Sequence, residues 1–149
     1  FSVKAEKSVV LLKDSKKRPN SRSQYPNISI SQYLNIHYPI SNCMLLYNVT
    51  ITIDLDVHED WIQWMRESHI PDVMSTGQFL SYRMAKLMGH EHTDAEIYTV
   101  QYLVKDMTHL RRYQEEFAPK LQQQTRERYD GKFAAFRTVM EVVDHNEKF

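Results

Sequence analysis

His69, Arg83, Arg137, Asn48 and Gln101 are the residues of this chain whose types and settings suit them to chemistry. His69 precedes Ile70-Pro71. A proline disfavours the α region for the residue before it, so a helix end or kink is expected near His69. There the negative end of the helix dipole favours a protonated imidazole. His69 then reads as a general acid/base or ligand anchor, or as a simple helix cap. Arg83 and Arg137 interrupt stretches that otherwise favour strands. A guanidinium on an enclosed face needs an anionic partner. That partner is Glu141, another side chain across an interface, or a ligand carboxylate held bidentately. Asn48 and Gln101 offer directional hydrogen bonds to a ligand carbonyl or enolate; equally, they pair with one another or with water.

Other chemical motifs are weaker. His90-Glu91-His92 has the look of a metal clip, but its polar loop supplies no rigid supporting shell. Asp54 and Asp56 are better explained by the start of a helix than as paired catalytic carboxylates. Trp61 and Trp64 read as core. No Gly-rich phosphate loop, nucleophile elbow or zinc signature occurs. Neither a metal nor a cofactor is expected.

The elements that position these residues follow from periodicity. Leu45 to Ile53 alternates and is β-branched, a strand with Tyr47, Val49, Ile51 and Ile53 on one face and Asn48, Thr50 and Thr52 on the other. A helix follows, with Asp56 as N-cap, Glu59 completing a capping box, and Val57, Trp61, Trp64, Met65 and Ser68 toward the sheet. Thr76-Gly77 breaks the chain before a second strand, Phe79 to Leu87. A third strand covers Glu96 to Lys105. The second helix starts at a capping Asp106 and carries an apolar stripe of Met107, Leu110, Tyr113, Phe117 and Leu121. Pro119 crowds the carbonyl of Glu115 and predicts a kink. The fourth strand runs from Lys132 to Val143. This β-α-β-β-α-β order predicts a ferredoxin-like α+β fold, a four-stranded antiparallel sheet with two helices on one face.

Such a sheet leaves its other face bare. Giving the helix side the more apolar parity places Asn48, Thr50, Ser81, Arg83, Thr99, Gln101, Phe133, Arg137 and Glu141 on the open side. One register slip inverts such a set. A mixed apolar and polar face suits a homodimer interface enclosing a small pocket.

The 149 residues carry no net charge, yet the first segment is basic. Before Met44 there are seven Lys/Arg against two Asp/Glu, a net +5, and the remainder carries −5. Nucleic-acid affinity needs clustered cations, so the acidic remainder argues against such a partner, and Lys13, Lys16, Lys17 and Arg18 read as a solvated tail more readily than as a binding arm. No apolar run approaches the roughly 20 residues that span a bilayer. The lone Cys43 excludes an intrachain disulfide and, with no signal peptide in view, favours the cytoplasm. Three regions are expected: residues 1–43, disordered or a non-native extension with the native start at Met44; a folded domain over 44–143; and a frayed tail over 144–149.

Tyr47-Asn48-Val49-Thr50, Trp61-Ile62-Gln63-Trp64-Met65 running to His69-Ile70-Pro71, Thr76-Gly77 and Ser81-Tyr82-Arg83 together form a specific set. So do Val100-Gln101-Tyr102, Tyr113-Gln114-Glu115-Glu116, Ala118-Pro119, Lys132-Phe133 and Ala135-Phe136-Arg137-Thr138. From Met44 to Val143 the chain resembles a small bacterial family of unknown activity, domain of unknown function 4286. The resemblance implies the dimeric α+β barrel superfamily, in which two sheets pack face to face. Some members are cofactor-independent monooxygenases or isomerases, and others have no known catalysis. Two functions follow as expectations. One is a homodimer that binds a small anionic or carbonyl compound on the open sheet face through Asn48, Arg83, Gln101 and Arg137, with His69 as its acid/base. The other is a non-catalytic assembly or regulatory module.

Overall fold

A computed structural model describes residues 43–89 and 94–146. The basic first segment up to residue 42, the His90-Glu91-His92 run and the last three residues lie outside the described residues. Strand β1 (Leu45–Asp54) leads into helix α1, which is continuous through His58–Trp64, a π turn at Met65–His69, and Ile70–Ser75. Strands β2 (Phe79–Lys86) and β3 (Ala95–Val104) follow. Helix α2 runs through Met107–Arg112, a second π turn at Tyr113–Phe117, and Ala118–Arg128, before strand β4 (Phe133–Glu141). The sheet order is β2-β3-β1-β4, antiparallel throughout.

The sheet is open. β2 and β4 are its two edges and do not meet. This corrects the expected ferredoxin-like dimeric α+β barrel to an α+β domain with an open four-stranded antiparallel sheet and two helices. The order of elements agrees with the sequence, but order along a chain says nothing about closure.

Both helices pass through their prolines without ending. Pro71 and Pro119 have no N–H and crowd the carbonyl four residues back. In each helix the residue before the proline instead bonds five back: Ile70 N–H to the Met65 carbonyl and Ala118 N–H to the Tyr113 carbonyl. The widened turn shifts the helical phase. Buried residues run Trp61, Met65, then Ile70 and Val73 in α1, and Leu110, Tyr113, then Ala118 and Leu121 in α2. Each stripe skips five positions at its π turn. Ser68 and Phe117, expected on the inner faces, are instead exposed and half-buried. Asp106 caps α2 as expected, accepting from the His109 N–H at 3.0 Å. Asp56 caps nothing: α1 starts one residue after Val57 with no side-chain cap, and the Asp56 carboxylate pairs with Lys132 at 2.6 Å.

The core lies between the helices and one face of the sheet. Leu45, Tyr47, Ile51 and Ile53 of β1 and Tyr98, Val100, Tyr102 and Val104 of β3 point into it, together with Trp61, Ile70, Val73 and Leu110. Tyr47, Phe79, Tyr102 and Tyr113 form a ring cluster, with Phe79 and Tyr113 edge to face at 4.6 Å. Cross-strand partners share a face, so register fixes the other side. There β1 shows Leu46, Asn48, Thr50 and Thr52; β3 shows Ile97, Thr99, Gln101 and Leu103; and β4 shows Ala134, Phe136, Thr138 and Met140. Ser81, Arg83 and Ala85 represent β2.

Register therefore inverts the expected parity of β4. Val49 pairs with Arg137 and Ile53 with Phe133, which puts Phe133, Arg137 and Glu141 on the helix side. Phe136 and Met140 face outward at 38% and 40% exposure. Among the described residues no helix is long and apolar enough to cross a membrane.

Candidate functional site

The residues singled out by their chemistry fall on opposite sides of the sheet. His69 and Arg137 come together on the helix side. Asn48, Gln101 and Arg83 line up on the open side.

On the helix side, His69 ends the π turn of α1 and lies against Trp64, ring centroids 4.7 Å apart. Its Nδ1 is buried with no hydrogen-bond partner. Burial lowers its pKa to about 4; the Arg137 charge lowers it too, against an opposing pull from Asp72. A neutral imidazole results. The expected protonated His69 at a helix C-terminus is thus corrected, because α1 continues to Ser75 and His69 meets no negative dipole end. Arg137 reaches the buried Tyr47 hydroxyl. Burial raises the Tyr47 pKa, while the charge and hydrogen bond of Arg137 pull the other way. Burial likewise raises Tyr113, against the same guanidinium. Sequence patterning marks Tyr47 and Tyr113 as core only and gives no sign of their link to Arg137.

Trp64 also links the two helices. Tyr129 meets it edge to face at 5.4 Å, and the Arg128 guanidinium sits 5.8 Å from its ring. Asp60 then accepts from Arg128 at 2.9 Å and from the Tyr129 hydroxyl at 2.7 Å. Burial and the Asp60 hydrogen bond push the Tyr129 pKa up to about 12. This network clamps the start of α1 to the end of α2. It holds Trp64, and through it His69, in place.

On the open side the register makes one row across the sheet: Arg83, Gln101, Asn48 and Thr138. Asn48 is buried at 8% exposure. Its amide donates to the Thr50 hydroxyl at 3.2 Å and the Thr138 hydroxyl at 3.3 Å. Its carbonyl oxygen is buried with no partner. The Asn48 amide thus pairs with two threonines rather than with Gln101. The signal for Thr138 was the β4 register, which periodicity assigned the other way.

A groove of about 500 Å³ lies at one end of this face, between Leu46, Ser81, Arg83, Gln101 and Leu103 and the chain at Asp144 to Asn146. It is open to solvent on a single sheet. The expected enclosed pocket, built from Asn48, Arg83, Gln101 and Arg137 on one face, is corrected accordingly: Arg137 projects from the other side, and Asn48 does not line the groove.

The family described as domain of unknown function (DUF4286) matches residues 44–143, and the chain belongs to it. No curated protein matches. Solved structures with some likeness include an EthD family protein from Bacillus halodurans, 10% identical, covering 68% of this chain and 99% of that one with a TM-score of 0.48. A dimeric ferredoxin-like protein from an uncultured marine organism is 10% identical, with 69% and 99% coverage and a TM-score of 0.43. A PII-like signaling protein from Thermus thermophilus is 16% identical, with 68% and 92% coverage and a TM-score of 0.30. At these scores the likenesses carry no argument.

Proposed function

We propose that this chain is a non-catalytic assembly domain that works as a homodimer, the open face of one sheet lying against the same face of a second copy while both sheets stay open at their edges. The observation that carries this reading is the scarcity of charge. Of the outward positions of β1, β3 and β4, Asp54 at the very end of β1 is the one charged residue, although 26% of the chain is charged. Depletion of charge marks the core of an interface. It also favours a second copy over other partners, because an isologous contact sets a face against its own charges.

Three further features support it. Phe136 and Met140, two of the large apolar residues of β4, point away from the core. The buried carbonyl of Asn48 lacks a donor, and a second such face brings hydroxyl and amide donors to it. Four strands about 4.8 Å apart and roughly nine residues long at about 3.3 Å per residue project ~600 Å². That is of the order of the roughly 800 Å² per partner in standard interfaces. Under this reading Asn48, Gln101 and Arg83 set the register of the dimer, and His69 and Arg137 serve the packing of α1 on the sheet.

Sedimentation equilibrium tests this. The full chain is expected to dimerise at micromolar concentration. Thr138→Lys and Phe136→Lys place a charge against its own copy and are expected to weaken the dimer at least 100-fold with unchanged far-UV circular dichroism. A monomer at 100 μM, or lysine variants that dimerise as well as the parent, would sink the proposal.

A further inference from the structure

The edge of β2 exposes apolar side chains. Leu80, Tyr82, Leu87 and Met88, on β2 or just beyond it, are 51%, 49%, 47% and 79% exposed. Beside the strand runs a groove of about 460 Å³ between β2 and α1, with Ile62, Arg66 and Ile70 on one wall and Tyr82, Met84 and Lys86 on the other. β2 has one neighbour in the sheet, so one side of its backbone has no strand partner among the described residues.

We propose that this edge is a β-augmentation site that takes an extended peptide, with apolar residues at alternate positions and at least one carboxylate, as a fifth strand. An added strand gains its affinity from main-chain hydrogen bonds and its specificity from every second side chain. The inward side chains of a strand beside β2 would enter the groove over Ile62, Ile70 and Met84. The charged residues lining the groove, Arg66 and Lys86, are both cations. Glu96 holds Lys86 at 2.7 Å, while Arg66 stands exposed on α1. A carboxylate on the incoming peptide meets this charge favourably. A second copy fits poorly, because antiparallel pairing of β2 with itself brings the Lys86 of one copy toward a groove that Arg66 and Lys86 of the other already line. The basic segment before Met44 is mismatched for the same reason. The irregularity between Phe79 and Ser81 confines the usable ladder to the regular part, Ser81 to Lys86.

The test uses the full chain and a phage-displayed library of random peptides. Enriched peptides are synthesised, their binding is followed by fluorescence anisotropy, and amide hydrogen exchange maps their footprint. The expected binders alternate apolar residues, contain Asp or Glu and lack proline. They slow exchange at Ser81 to Lys86, lose binding when a proline replaces a central residue, and bind Arg66→Glu about tenfold more weakly. Three results overturn the proposal: no enrichment, with β2 amides already protected in the full chain; binders whose footprint falls on the face around Phe136 and Thr138; or binders indifferent to Arg66→Glu.

Discussion

His69 shows how a residue's chemistry is set by what surrounds it. An imidazole held near a pKa of about 4 by burial, against an ordinary value of 6.5, favours the neutral form in the folded state. The unfolded chain then binds more protons than the folded one between those two values. Stability contributed by His69 is fully present above pH 6.5, declines as pH falls toward 4, and is spent below it. The size is on the order of 3 kcal/mol. Urea unfolding at pH 7.5 and pH 4.5 checks this. The parent is expected to lose markedly more stability across the interval than His69→Phe, which keeps a ring against Trp64 but has nothing to titrate. An equal pH dependence in both proteins would show that His69 carries no such linkage.

At the scale of elements, the prolines decide more than the caps do. Pro71 and Pro119 each sit at the second position of a helical segment that follows a π turn. There their missing N–H costs little and their fixed φ suits the helix. The two aspartates expected as caps separate cleanly. Asp106 accepts a backbone N–H, so Asp106→Ala is expected to cost about 1 kcal/mol. Asp56 makes an exposed ion pair with Lys132, so Asp56→Ala is expected to cost under about 0.5 kcal/mol. Urea denaturation of the two variants side by side measures the difference. A larger loss at Asp56 would contradict the assignment of helix starts.

For the whole molecule, the open sheet leaves two surfaces: a face whose charged strand residues, Arg83 and Asp54, stand toward its margins, and a β2 edge with no strand partner among the described residues. Met84 lies on the helix side of β2 and Met140 on the open side of β4. If the face meets a second copy, the methionine methyl resonance of Met140 is expected to shift on dilution while that of Met84 stays fixed. Movement of Met84 alone would place self-association at the β2 edge instead.

The strands, their alternation and the order of elements were legible in the sequence because they rest on local forces: β-branched runs, glycine breaks and the Asp106 cap. The family was legible too, from short motifs spread over residues 44–143. Even the π turns had a trace, the five-residue skips from Met65 to Ile70 and from Tyr113 to Ala118, though a fixed helical period hides them. Tertiary structure alone decided three things. It left the sheet open, since closure depends on the relation of edge strands far apart in the chain. It turned β4 so that Arg137 met Tyr47 and Phe136 met the outside, because register is set by pairing with β1 and the apolar content of one strand is a poor guide when both parities carry large apolar residues. And it sent His69 to the helix side, apart from Asn48 and Gln101, because a helix that continues through its proline carries a side chain to a different place than one that ends there.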